Sequence, residues 1–129
     1  MTVPSVLAYA RAAAVNFLVD QMSTIYDPRC PVARTLEIIG ERWTILILRD
    51  LIIEGPRRFQ DLLTSMSGIS PNTLSARLKT LEDNGIIERR FYEDHPPRAE
   101  YVLTDRGQEL RPVLRTLRDW GQKHTRVPK

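Results

Sequence analysis

The most specific chemistry in this chain is carried by Ser70, Asn72, Thr73, Ala76 and Lys79, which are interleaved with Leu74, Leu78 and Leu81. The leucines recur at i, i+4 and i+7, so they share one face of a helix and leave the polar residues on the rest of it. Those polar residues suit duplex DNA. An Asn amide can bond two adjacent groups on an adenine edge, Thr and Ala can touch a thymine methyl, and Lys can meet a phosphate. Arg57 and Arg58 precede this helix and can contact phosphate, the alternative being two solvated arginines at a helix start. Arg89, Arg90, His95 and Arg98 follow it and can reach phosphates or the minor groove, or simply be solvated. Arg77 lies beside the leucine stripe, where an internal ion pair with Asp61 or Glu82 is open to it, and it is not counted among the base readers.

A second kind of chemistry belongs to Cys30, the sole cysteine. One thiol excludes an intrachain disulfide and any multi-cysteine metal site, so a disulfide through Cys30 would have to be intermolecular. It can be a small core side chain, or a thiol that senses oxidants or electrophiles, with Arg29 beside it in sequence to favour the thiolate. Enzyme motifs are missing: there is no phosphate-cradling glycine loop, no HExxH and no GxSxG. His95 and His124 are the only histidines and have no metal-ligand company at a recognisable spacing, so neither a metal nor a cofactor is expected.

These groups need elements to hold them. Ser70 is a good N-cap, Pro71 suits a first helical position that needs no N–H, and Asn84-Gly85 stops the helix with a left-handed cap. Residues 86 to 92, IIERRFY, then read as a partly exposed strand, and Ala99 to Leu103 as its partner. Pro96 and Pro97 make the segment from Glu93 to Arg98 a stiff projecting loop outside the sheet. Upstream, Val32 to Ile39 and Glu41 to Ile53 read as helices separated by Gly40. The second is too apolar for a surface helix, with Trp43 part of the core. A short helix, Gln60 to Met66, leads into the turn before Ser70. Downstream, Thr104 caps a helix from Asp105 to about His124, carrying a stripe of Leu110, Val113, Leu114, Leu117 and Trp120 and bent by Pro112.

The N-terminal stretch has Leu7, Ala10, Ala14, Phe17, Leu18 and Met22 at helical spacing and is alanine-rich. Arg11, Asn16 and Asp20 interrupt it too often for a bilayer span, and no basic lead-in of a signal peptide precedes it, so a cytoplasmic protein without membrane attachment is expected. Its apolar stripe is expected to pack on a partner subunit rather than on its own domain. The 129 residues suit one cored domain, 42% apolar and 27% charged. A net charge of +3 permits nucleic-acid binding without establishing it. The balance is uneven: between Arg57 and Leu103 seven basic residues meet seven acidic ones, and from Thr104 onward seven meet three. DNA binding therefore requires the basic groups to be sorted onto one surface, with the carboxylates turned away or paired with one another.

Several stretches occur together in order: Cys30-Pro31-Val32; Gly40 to Trp43 with its apolar run; Gly55-Pro56-Arg57-Arg58-Phe59; LKTLEDNG from Leu78 to Gly85; Pro97-Arg98; YVLT from Tyr101 to Thr104; Gly107; and Trp120. The ordered set, spanning about Cys30 to Trp120, resembles the HxlR-type winged helix-turn-helix transcriptional regulators. The resemblance implies a dimeric bacterial DNA-binding regulator. Members resembling this chain often carry a cysteine at the place of Cys30, and in some it is the sensor.

The expected fold is mostly α with a small β-hairpin: a winged helix-turn-helix with N- and C-terminal dimerisation helices. Residues 1–129 are expected to form one domain, with 1–26 as a helical extension, 59–83 as the helix-turn-helix, 86–103 as the wing and 104–124 as the C-terminal dimerisation helix. The expected function is that of a sequence-specific homodimeric regulator on double-stranded DNA, responsive to redox or electrophiles through Cys30. Two-fold symmetry would set two reading helices about 34 Å apart and demand an inverted-repeat operator. Two alternatives stay open: a winged helix that binds protein partners, and a regulator answering a small-molecule effector without thiol sensing.

Overall fold

The computed structural model describes residues 27–94 and 97–128. The expected N-terminal helical stripe, Leu7 to Met22, and His95 lie outside the described residues. The chain divides into two units, Met1–Glu37 and Ile38–Lys129. In the first, a turn at Asp27 to Cys30 precedes helix α1, Pro31–Ile39, whose last two residues, Ile38 and Ile39, already belong to the second.

The second unit is built around α2, Arg42–Glu54. Its start is set by Glu41, whose carboxylate accepts from the backbone N–H groups of Trp43 and Thr44 at 2.8 and 3.2 Å, satisfying two otherwise orphaned donors. Glu41 is thus the cap of this helix rather than its first residue. Thr44, Ile47, Leu48, Asp50 and Leu51 are buried, and Gly55 ends the helix at φ +80°, a conformation that favours glycine. Helix α3, Phe59–Ser65, and helix α4, Pro71–Asp83, both pack on α2. The α4 leucines Leu74, Leu78 and Leu81 are fully enclosed in a core shared with Ile47, Leu48, Leu51, Leu62, Met66, Ile69, Ile86 and Ile87. Trp43 is half-buried against that core.

The end of α4 follows its sequence closely. Ile86 N–H donates to the Leu81 carbonyl at 2.9 Å and Gly85 N–H to that of Glu82 at 3.0 Å, with Gly85 at φ +71°. This is the paired-bond cap that turns a helix directly into a strand. Strands β1, Ile87–Asp94, and β2, Pro97–Leu103, form an antiparallel hairpin running from Ile87↔Leu103 to Asp94↔Pro97, with a register shift between Phe91 and Glu93. The ladder therefore includes Glu93, Asp94, Pro97 and Arg98, a correction to the loop that the two prolines suggest. In a two-stranded ribbon each strand is an edge, and Pro97 occupies a first strand position, where a missing N–H breaks no interior rung. A further rung lies outside the hairpin: Arg57 N–H donates to the Tyr101 carbonyl at 3.1 Å and Tyr101 N–H to that of Arg57 at 2.7 Å.

The C-terminal segment departs from one bent helix. It consists of α5, Asp105–Gln108, and α6, Arg111–His124, with Pro112 in the first turn of α6. Pro112 inside a continuous helix would crowd the carbonyl four residues back; at a helix start its missing N–H costs nothing. Thr104 caps α5 through Gly107 N–H and also donates to the Gly85 and Ile86 carbonyls, tying α5 to the root of the wing. The approach is so close that a Cβ on Gly107 would lie 2.2 Å from the Ile86 carbonyl oxygen. No helix among the described residues is long and apolar enough to cross a membrane.

Replacing Gly107 with Ala forces α5 away from the Ile86 carbonyl, and the expected loss of stability is about 1–3 kcal/mol by urea denaturation. A change within about 0.5 kcal/mol, the range of ordinary surface substitutions, would show that the close approach relaxes freely.

Candidate nucleic-acid interface

Helix α4 presents its polar face to solvent because its other face is filled by leucine. Asn72, Ala76 and Lys79 are exposed, while Thr73 is half-buried. Ser70 is exposed but committed: its oxygen accepts from Thr73 N–H at 3.1 Å, and its hydroxyl donates to Thr73 Oγ1 at 2.9 Å. Ser70 and Thr73 thus hold the helix start, leaving Asn72 and Ala76 as the outward residues of its first turns.

The basic residues are not sorted away from acids, contrary to the expectation from the charge balance. Each of several cations has a carboxylate beside it instead. Lys79 pairs with Asp83 at 3.2 Å, Arg89 with Glu82 at 3.2 Å, Arg90 with Glu100 at 2.7 Å and Arg58 with Asp61 at 3.2 Å. All four cations are exposed, and such pairs contribute roughly 0–1 kcal/mol. Exchanging or sharing the carboxylate with a phosphate is therefore easy. An Arg fork has five N–H donors and can hold an acid on one edge and a phosphate on another. Arg89 and Arg90 point to opposite faces of β1, the former toward Glu82 of α4 and the latter across the ribbon to Glu100, so they cannot grip one phosphate together. Arg98 is exposed on β2.

Two arginines differ from their expected placement. Arg57 is half-buried rather than solvated: its Nη2 donates to the Asp61 carbonyl at 3.3 Å and lies 3.7 Å from Asp50. Arg77 makes an internal ion pair, but with Glu41 at 3.3 Å rather than with Asp61 or Glu82, because Arg58 holds the first and Arg89 the second. Glu41, Asp50 and Tyr101 support this surface, and reasoning from sequence misses all three. For Asp50 the available signal is a lone carboxylate in the apolar run of α2, three residues after Ile47.

Arg58 links the start of α3 to the wing. Asp61 accepts from the Arg58 backbone N–H at 3.0 Å as well as from its guanidinium, and the Tyr92 side chain of β1 is near enough to that guanidinium to raise its pKa further. The Arg58 hydrogen bonds, side chain first and then backbone, hold the Asp61 carboxyl below its ordinary value of 3.8. Among the described residues no group of three His, Cys, Asp or Glu side chains could hold a metal ion. Cys30 is a free, partly buried thiol immediately before α1, and the neighbouring Arg29 guanidinium is paired with Asp27 at 3.2 Å.

Because the folded Asp61 carboxyl titrates below the unfolded one, its contribution is fully present above about pH 4 and disappears as pH falls through the lower folded value. Asp61→Asn is expected to lower stability by about 1 kcal/mol, a typical capping effect, near neutral pH. The gap from wild type should close in acid. A gap that stays unchanged as the pH is lowered through the acid range would contradict the charge-based origin.

Comparisons with known proteins agree on what this surface belongs to. The family model for the HxlR-like helix-turn-helix matches residues 38–128. The chain is 44% identical over 92 residues to the uncharacterized HTH-type transcriptional regulator sll1512 of Synechocystis, covering 71% of this chain and 67% of that protein. It is 40% identical over 95 residues to the uncharacterized HTH-type transcriptional regulator YdeP of Bacillus subtilis, covering 74% and 73%. Among solved structures, the redox regulator HypR in its oxidized form matches with a TM-score of 0.70 and 34% identity, over 76% of this chain and all of that one.

Proposed function

The chain belongs to the HxlR-like helix-turn-helix family of transcriptional regulators, and on that premise we propose that it is a sequence-specific, homodimeric reader of duplex DNA acting in the cytoplasm. The observation that carries the proposal is the two-sidedness of α4. Leu74, Leu78 and Leu81 are fully enclosed, so Asn72, Ala76 and Lys79 face outward from a helix that cannot rotate. In this reading residues 59–83 are the helix-turn-helix, and the N-terminal half of α4 enters the major groove. Asn72, Thr73 and Ala76 meet base edges. Lys79 and Arg58 meet phosphates, and Ser70 holds the helix start beside them. The wing, 86–103, brings Arg89, Arg90, His95 and Arg98 to the backbone or minor groove, with Arg57 supporting it from beneath.

Helix α6 supports the dimer. Leu110 and Leu114 pack on the core, while Val113, Leu117 and Trp120 continue the same stripe at 41, 50 and 62% exposure. An apolar strip of this kind is a natural seat for a second copy, together with residues 1–26. Two reading helices about 34 Å apart would then require an inverted repeat.

The test is a titration of wild type and Asn72→Ala on operator, half-site and random duplexes across a range of salt. Asn72→Ala should cost about 1–3 kcal/mol on the operator and little on random DNA. Affinity should fall with salt for both proteins. A salt-independent or absent response would favour a protein-partner module instead.

HypR, described as a redox regulator, favours a second layer in which Cys30 sets DNA occupancy. With one cysteine per chain, an oxidant would take two electrons and two protons from two Cys30 thiols to form an intermolecular disulfide. Wild type treated with diamide should change its operator affinity and run as a covalent dimer, and Cys30→Ser should do neither. Equal responses would leave a small-molecule effector as the better reading of the signal.

A further inference from the structure

We propose that Asp50 is a positioning residue for the wing: its buried carboxylate holds Arg57, and Arg57 carries the wing strand on its backbone. The inference deepens the DNA-reading proposal and rests on it. Asp50 lies in the core helix α2 with its side chain only 7% exposed, an unusual place for a carboxylate. Its Oδ1 accepts from Arg49 Nη2 at 3.1 Å. Its Oδ2 is buried without a hydrogen bond and faces Arg57 Nη2 at 3.7 Å, while Arg57 Nε is also buried without an acceptor.

An ion pair so incompletely bonded, between a buried Asp50 and a half-buried Arg57, is a poor stabiliser, because desolvation of the charges offsets much of their attraction. What it does supply is position. Arg57 reaches three elements at once. Its guanidinium meets α2 at Asp50 and α3 at the Asp61 carbonyl, and its backbone exchanges two hydrogen bonds with Tyr101 of β2. Through Tyr101, which pairs with Arg89, the carboxylate on α2 sets where the wing cations stand relative to α4. Apolar packing alone would leave the pairing of Arg57 with Tyr101 held at its two peptide bonds and free to slide at its side chain.

The experiment uses the full chain with Asp50→Asn, and Asp50→Leu as a second variant that leaves no buried polar group at this position. Melting, amide hydrogen exchange and the salt dependence of binding to a random-sequence duplex are measured on each. The expected result is exchange at the Arg57 and Tyr101 amides faster by about tenfold or more, equivalent to about 1.4 kcal/mol, with the Leu48 and Leu78 amides unchanged. The salt slope should also be shallower by about one for each phosphate that the displaced wing fails to reach.

Unchanged Arg57 and Tyr101 amides in both variants would overturn the assignment, whatever happens to melting, since a merely structural carboxylate would loosen the whole core together. Faster exchange with an unaltered salt slope would overturn the link from this pair to DNA. If wild type itself bound DNA without salt dependence, the DNA-reading proposal would fall, while the exchange measurement would still decide whether Asp50 holds the wing.

Discussion

Burial of three leucines on one side of α4 is the constraint from which the rest of the surface follows. Leu74, Leu78 and Leu81 are locked among α2, α3 and the root of the hairpin, so rotation of α4 about its axis would expose them at a cost of about 1.5–3 kcal/mol each. The polar face is therefore oriented by what it does not contain. Ser70 adds the axial limit: it caps the first turn through Thr73, and the Gly85 cap fixes the last. A helix defined at both ends and along one side presents Asn72 and Ala76 at fixed places without either of them contributing to the core.

The electrostatics follow a different logic from the core. The exposed ion pairs on this surface join a cation to a carboxylate that is close in sequence or across one rung, as with Lys79 and Asp83 or Arg90 and Glu100. Equal numbers of acids and bases keep the segment neutral, and their local pairing reduces indiscriminate attraction to polyanions. The pair of buried Asp50 and half-buried Arg57 and the half-exposed pair of Glu41 and Arg77 serve the scaffold: each joins α2 or its cap to a neighbouring element.

Much of this is legible in the residue order, for identifiable reasons. The α4 face, the Ser70 cap, the Gly85 stop and the strand after it depend on interactions within about one turn and a half of helix, and local spacing encodes those directly. The rung between Arg57 and Tyr101 is not legible, because a single bridge between residues far apart in sequence has no periodicity. The inward turn of Arg57 is hidden for the same reason: nothing distinguishes it from Arg58 except an acid on another helix. Pro97 misleads through a rule that holds for central strands and relaxes at edges. Pro112 marks the right place, but its effect is a new helix start rather than a bend.

The root of the hairpin is anchored twice, by Thr104 and Gly107 against the Ile86 carbonyl and by Arg57 against Tyr101. Farther out, among the described residues, the backbone of the ribbon pairs only with itself. It is therefore mechanically a cantilever, with compliance growing along its length. Arg89 stands opposite Tyr101 beside the clamp, whereas Arg98 lies farther out along the ribbon, opposite Glu93. Under the proposed reading of duplex DNA, a lever of that kind would follow sequence-dependent variation in groove width without disturbing α4.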